Sequence, residues 1–295
     1  MDLHLSPLSV SSPGSPPGRR WPRPQGLARA GVLLSLTLGI FSGAACGENK
    51  ANPQVAPGEA DRVLFERGSD ALAGRKWLTA REYFRQIVDG YPQSAYRADA
   101  KLGLGDTYLG EETAQSLVLA VNEFREFLSF YPTHPRADYA QYKLAMCHYT
   151  QMAKPERDQT ESKEAVKEFE VFLERFPNSQ LTEDARLRHR ESRDRLSESD
   201  YRVGLFYYRS RWYPGAIDRF KALLQADPQY TGRDAVYFHL AEALAKVNRE
   251  AEALPYLQRL LDEFERSEFL EDAKKRMAEL KASAAVPKEP AGGQA

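Results

Sequence analysis

Apolar residues through the middle of the chain fall at helical spacing and then stop abruptly. Val121, Phe124, Phe127 and Leu128 line one face in one stretch, and Val166, Phe169, Phe172 and Leu173 do so in another. Eight positions after a central apolar residue comes a turn mark: Phe84 and Pro92, Phe124 and Pro132, Phe169 and Pro177, Phe220 and Pro228, then Leu257 and Glu265 without proline. Successive copies begin 40, 45, 51 and 37 residues apart, which makes a repeated unit with insertions of variable length. Proline ends the helix before it, because it lacks an N–H and its ring clashes with the preceding turn. Ser94 and Ser179, just beyond two of these prolines, are expected to cap the helix that follows.

Each unit therefore predicts two helices, one before the mark and one after it. The second kind carries small residues, Ala98, Ala100, Gly103 and Gly105 among them, that let neighbouring helices approach closely. Gly103 and Gly105 lie inside such a helix, with no following Gly-rich turn or Lys-Ser/Thr, so they read as packing and not as a phosphate loop. One helix pair cannot bury its apolar face alone. The expected fold is all-α, a solenoid of about five helix pairs over 59–91, 93–131, 134–176, 179–227 and 230–264, closed by a capping helix that ends near Leu280. The unit resembles the tetratricopeptide repeat in its small-residue, aromatic and proline spacing.

The two ends of the chain are different in character. Residues 1–45 read as a secretory leader: Arg19, Arg20, Arg23 and Arg29, then the apolar run AGVLLSLTLGIF, then Ser42, Gly43, Ala44 and Ala45 ahead of Cys46. The run is short for a bilayer span. Small residues before a cysteine resemble a lipobox, which makes Cys46 the expected lipidation site; Gly43 stands where leucine is more usual in such boxes. The alternative is an Ala-x-Ala-type cleavage site beside an incidental cysteine. Residues 46–58 and 282–295 are rich in Pro, Gly and polar residues and read as a flexible tether and a loose tail. The second cysteine, Cys147, sits in a helical pattern and is expected to be a small buried hydrophobe. A formal net charge of -1 gives no sign of a nucleic-acid partner.

The corner FYPTHPRADYAQYKLA is more specific than a generic repeat. Its Pro132 to Pro135 turn, Asp138-Tyr139 pair and Tyr142 resemble the second repeat corner of the BamD family, lipoproteins of the outer-membrane β-barrel assembly machine. The likeness continues through Pro177-Asn178-Ser179, Asp194-Arg195-Leu196 and Tyr207-Tyr208, and spans 59–266. It implies a non-catalytic protein facing the periplasm from the outer membrane, held by acyl chains on Cys46. In that family the N-terminal repeats, here 59–176, are expected to receive unfolded outer-membrane proteins. The C-terminal repeats and capping helix, here 177–281, are expected to hold the periplasmic domains of the barrel subunit BamA. Accessory lipoprotein subunits are a further class of partner.

Tyr96, Tyr108, Tyr139 and Tyr142, with Asp138, are the candidate peptide-groove residues, since tyrosines give amphipathic contact at small entropic cost. Packing between helices, with the hydroxyl at the rim, is the competing role. Asp138 has a second alternative as a helix cap, and His134 reads as a turn-exposed imidazole. Arg219 falls where the family has a basic residue near the BamA interface; an ordinary solvated arginine is the alternative. Trp212 is expected to pack.

The residues offer no catalytic constellation. His4, His134, His148, His189 and His239 have no metal-protease or Cys-x-x-Cys spacing around them, and no serine sits in a Gly-x-Ser-x-Gly elbow. Neither a cofactor nor a metal is expected. Carboxylates alternate with basic residues, as in RLRHRESRDRLSESD, and read as a solvated face. Another periplasmic repeat scaffold, acting in the cell envelope or in division, is the alternative function.

Overall fold

The computed structural model describes residues 59–285; the leader, Cys46, the whole predicted tether 46–58 and residues 286–295 of the predicted tail lie outside the described residues. Eleven α-helices follow one another without a strand among the described residues: α1 Ala60–Ala73, α2 Trp77–Gly90, α3 Arg97–Glu111, α4 Ala114–Phe130, α5 Ala137–Thr150, α6 Thr160–Arg175, α7 Thr182–Arg209, α8 Tyr213–Ala226, α9 Arg233–Lys246, α10 Glu250–Glu263 and α11 Leu270–Ala285. They form five antiparallel pairs, α1/α2 to α9/α10, and α11 packs against α10 as a cap. The fold is a tetratricopeptide-like all-α solenoid. The cap continues to Ala285, past the predicted end near Leu280, on residues that favour helix as far as the approach to Pro287.

The residues that set the sequence period are the hubs of the core. Phe84, Phe124, Phe169, Phe220 and Leu257, one per pair, are all buried. Three of them lie against a glycine of the partner helix. A Cβ added at Gly68, Gly105 or Gly204 would stand 2.7, 2.6 or 2.5 Å from the ring of Phe84, Phe124 or Phe220. In the third and fifth pairs Ala145 and Ala241 share the cluster of Phe169 and Leu257. Four of the five turns inside a pair are closed by a residue at positive φ: Arg75, Glu112, Arg211 and Asn248. The third pair instead uses the longer connection 151–159.

The corners between pairs share one local design. The residue after the first helix adopts nearly the same backbone each time, as at Tyr91 (φ -128), Tyr131 (φ -130), Phe176 (φ -128) and Phe264 (φ -131). Ser94 and Ser179 do not cap the next helix as expected; α3 and α7 have no side-chain cap. Their hydroxyls accept the backbone N–H two residues on, from Tyr96 at 3.1 Å and Leu181 at 3.2 Å, closing a turn ahead of the helix. Ser267 does the same for Phe269 at 3.1 Å. His134 occupies the equivalent place in the second corner, its Nδ1 accepting the Arg136 N–H at 3.2 Å while its ring stands edge-on to Phe127. It is half-buried, not turn-exposed, and it does the work of a serine.

Two serines also clasp the preceding pair. Ser179 donates to Asp138 at 2.6 Å and Ser267 donates to Asp234 at 2.6 Å, while Thr231 reaches Asp194 at 3.0 Å. Asp138 thus joins consecutive pairs, its other oxygen accepting the Tyr139 N–H at 2.7 Å. The stretch RLRHRESRDRLSESD departs from the expected solvated face. It lies in α7, twice the length of α8, where Ser192 and Ser197 are buried. Arg190 and Ser197 there hold Asp227, the residue that replaces the corner aromatic between α8 and α9. Trp212 covers Gly215 and meets Tyr207 edge-on at 4.9 Å, yet is 56 % exposed, because it ends a tight turn at the rim.

Candidate functional site

Alternate helices approach one another along the stack: α1 touches α3, α3 touches α5, α5 touches α7 and α7 touches α9. The more closely spaced series of helices faces the inside of a curving stack, so the odd-numbered helices line its groove. Between α3 and α5 this groove opens into a cavity of about 460 Å³ lined by Trp77, Asp106, Leu109, Tyr139, Tyr142, Lys143 and Met146. Gly110 makes room for it, since a Cβ there would stand 2.7 Å from the Trp77 ring.

Each groove tyrosine has its hydroxyl tied down. Tyr139 donates to both oxygens of Asp106, each at 2.9 Å, and Arg136 lies 4.6 Å from its ring centroid with the Lys143 ammonium at 5.3 Å. Burial and the neighbouring Asp106 charge push the Tyr139 phenol well above its ordinary range. Burial also raises the Asp106 carboxyl, against the opposing pull of Lys143, the Tyr139 hydroxyl and Arg136. Tyr142 donates to Asp184 of α7, and its ring meets Phe169 and Phe172 edge-on at 6.2 and 6.0 Å. Burial, then Asp184, raises its phenol. Hydroxyls fixed in this way hold the rings in place, and the two tyrosines line the cavity together with Met146, Lys143 and Asp106.

Of the residues singled out from sequence, the fold brings together Tyr139 and Tyr142. Tyr96 stacks on Phe65 at 5.1 Å in the first core. Tyr108 is buried, with Arg81 over its ring at 4.1 Å and Arg85 donating to its hydroxyl at 3.0 Å. Asp138 borders a separate cavity of about 320 Å³ with His134, Arg175 and Ser179. Arg219 is exposed on α8, near enough to Asp200 to oppose the burial that raises that carboxyl. Cys147 is buried, its thiol pushed up to about 12 by that burial. Cys46 lies outside the described residues. Sequence reasoning missed Trp77, Asp106, Lys143 and Met146; the one available signal was Asp106, a carboxylate set among the small and apolar residues of KLGLGDTYL.

No described helix is long and apolar enough to cross a membrane. Five stacked helix pairs closed by a capping helix define a repeat protein of the tetratricopeptide-like class. Within that class, the chain belongs to the YfiO family of outer membrane lipoproteins, whose model matches residues 57–250. It is similar to the outer membrane protein assembly factor BamD of Caulobacter vibrioides, 28% identical over 227 residues that cover 76% of this chain and 73% of the relative. Its likeness to the BamD of Vibrio cholerae is 29% over 207 residues, 67% of this chain and 81% of the relative. For the BamD of Rickettsia prowazekii the figures are 26% over 233 residues, 76% and 88%.

Proposed function

We propose that this chain is a non-catalytic subunit of the machinery that assembles β-barrel proteins in the outer membrane, working as BamD does in its relatives. The observation that carries the reading is the likeness to assembly factors across most of the five helix pairs. In this reading the chain is held at the periplasmic face of the outer membrane by acyl groups on Cys46. Its N-terminal repeats, 59–176, take up unfolded outer-membrane proteins, and the groove of Trp77, Tyr139, Tyr142 and Lys143 is where an extended segment lies. Tyrosines already fixed by Asp106 and Asp184 have little freedom left to lose on binding, which favours affinity. Lys143 supplies a donor for a peptide carbonyl or carboxylate. The C-terminal half, 177–281, with Arg219 on its exposed side, holds the periplasmic domains of a BamA-like barrel subunit, and accessory lipoproteins are further partners.

Photo-crosslinkers at Tyr142 and Arg219 in living cells test this division. The expected result is nascent outer-membrane protein joined to position 142 and the BamA-like subunit joined to position 219. Crosslinks to neither class of protein at both positions would overturn the proposal in favour of another periplasmic scaffold.

A further inference from the structure

His148 is the least explained polar side chain of the fold. It projects from α5 toward α6 and is 7% exposed. Its Nδ1 lies 2.7 Å from Glu161 Oε2, whereas its buried Nε2 has no hydrogen-bond partner. If Nδ1 carries the proton, as a bond to a carboxylate requires, Nε2 presents a bare lone pair.

A ring nitrogen of His148 and one oxygen each from Glu164 and Glu168 lie within 4.8 Å of one another. The two glutamates are four apart on α6 and so share a face. Glu168 is itself 8% exposed; Gln141 donates to its Oε2 at 2.8 Å and Arg125 approaches its Oε1 at 3.4 Å. An imidazole nitrogen and two carboxylates therefore converge as electron-pair donors, with the Lys167 ammonium 3.6 Å from Glu164 and Arg125 beside Glu168 on their outer sides, and a cation bound through Nε2 would give the orphaned nitrogen a partner. We infer that His148, Glu164 and Glu168 bind a divalent transition-metal ion, of which Zn²⁺ fits this nitrogen and oxygen set.

The surroundings are those of a metal site. A histidine ligand commonly donates its other N–H to a carboxylate, here Glu161, and a ligating carboxylate is commonly oriented by a further donor, here Gln141. Glu164 is half-buried and leaves a route from solvent. Ligands drawn from α5 and α6 would fasten the pair whose connection, 151–159, is the longest within any of the five. The spacing motifs of single-helix metal sites do not reveal it, because the donors come from two helices.

The test is calorimetric titration of the purified full chain with Zn²⁺, beside E164Q and H148A, with folding checked by circular dichroism. The expected result is one Zn²⁺ site that weakens about tenfold or more in E164Q, and a Zn²⁺-dependent rise in unfolding temperature that E164Q lacks. E164Q alters a half-buried side chain and keeps the core, so it decides the matter even if H148A does not fold. Equal Zn²⁺ affinity in the two folded proteins, no binding by either, or preference for Ca²⁺ or Mg²⁺ over Zn²⁺ would overturn the inference.

Discussion

Gly105 carries much of the specificity of the second pair by having no side chain. In an ordinary helix a glycine-to-alanine change stabilises by about 1 kcal/mol, because alanine loses less backbone freedom on folding. Here the new Cβ would stand 2.6 Å from Phe124, a fully buried ring at the centre of its pair. Overpacking of that kind costs about 1–3 kcal/mol. G105A is therefore expected to destabilise, with a lower urea midpoint by circular dichroism; an increase would show that the pair is loosely packed. The opposition of a small residue and a large ring was half visible in the sequence. Phe124 was legible from helical spacing, but which small residue faces it depends on the phase between two helices, and an error of one position moves the contact to another face.

At the scale of elements, the corners decide how one pair is set against the next. Proline marked their places correctly, since its missing N–H and fixed ring end a helix wherever the next turn begins. The task of the following residue was not legible. A serine hydroxyl can cap a helix or close the turn before it, both local bonds of similar strength, and only the observed backbone distinguishes them. His134 hid its equivalence to those serines because an imidazole shares with a hydroxyl only the accepting lone pair. The polar face of α7 was misread for a related reason. Its composition is that of a solvated helix, and its partner, Asp227, lies beyond another helix in the chain. Burial pushes the Asp227 carboxyl up, but hydrogen bonds from Arg190 and Ser197 and the arginine charges outweigh it and hold it below its ordinary value of 3.8. A carboxyl lowered in the folded state adds stability above its unfolded value, and that stability is lost as pH falls through the folded one. D227N is expected to cost about 1.5–3 kcal/mol at neutral pH. The gap to the parent should narrow as pH falls below 3.8, followed by urea unfolding across the acid range; a gap independent of pH would contradict the assigned role.

For the whole molecule, stability is a sum of pairs and of the interfaces between them, and the binding surface belongs to the stack and to no single pair. The fold class and the number of pairs were legible because a 3.6-residue period and recurring prolines are properties of short windows. The groove was legible only in part. Tyr139 and Tyr142 stood out as aromatics beside a corner, with Lys143 on the same helix, whereas Trp77 of the first pair and Asp106 of the second join them only when three pairs are stacked. The most direct measurement is a mild-detergent affinity purification of the tagged protein from outer membranes, with mass spectrometry of its partners and of its N-terminal peptide. The account predicts recovery of a BamA-like barrel subunit with periplasmic domains, together with acylated Cys46. A soluble, unacylated protein recovered without that partner would contradict it.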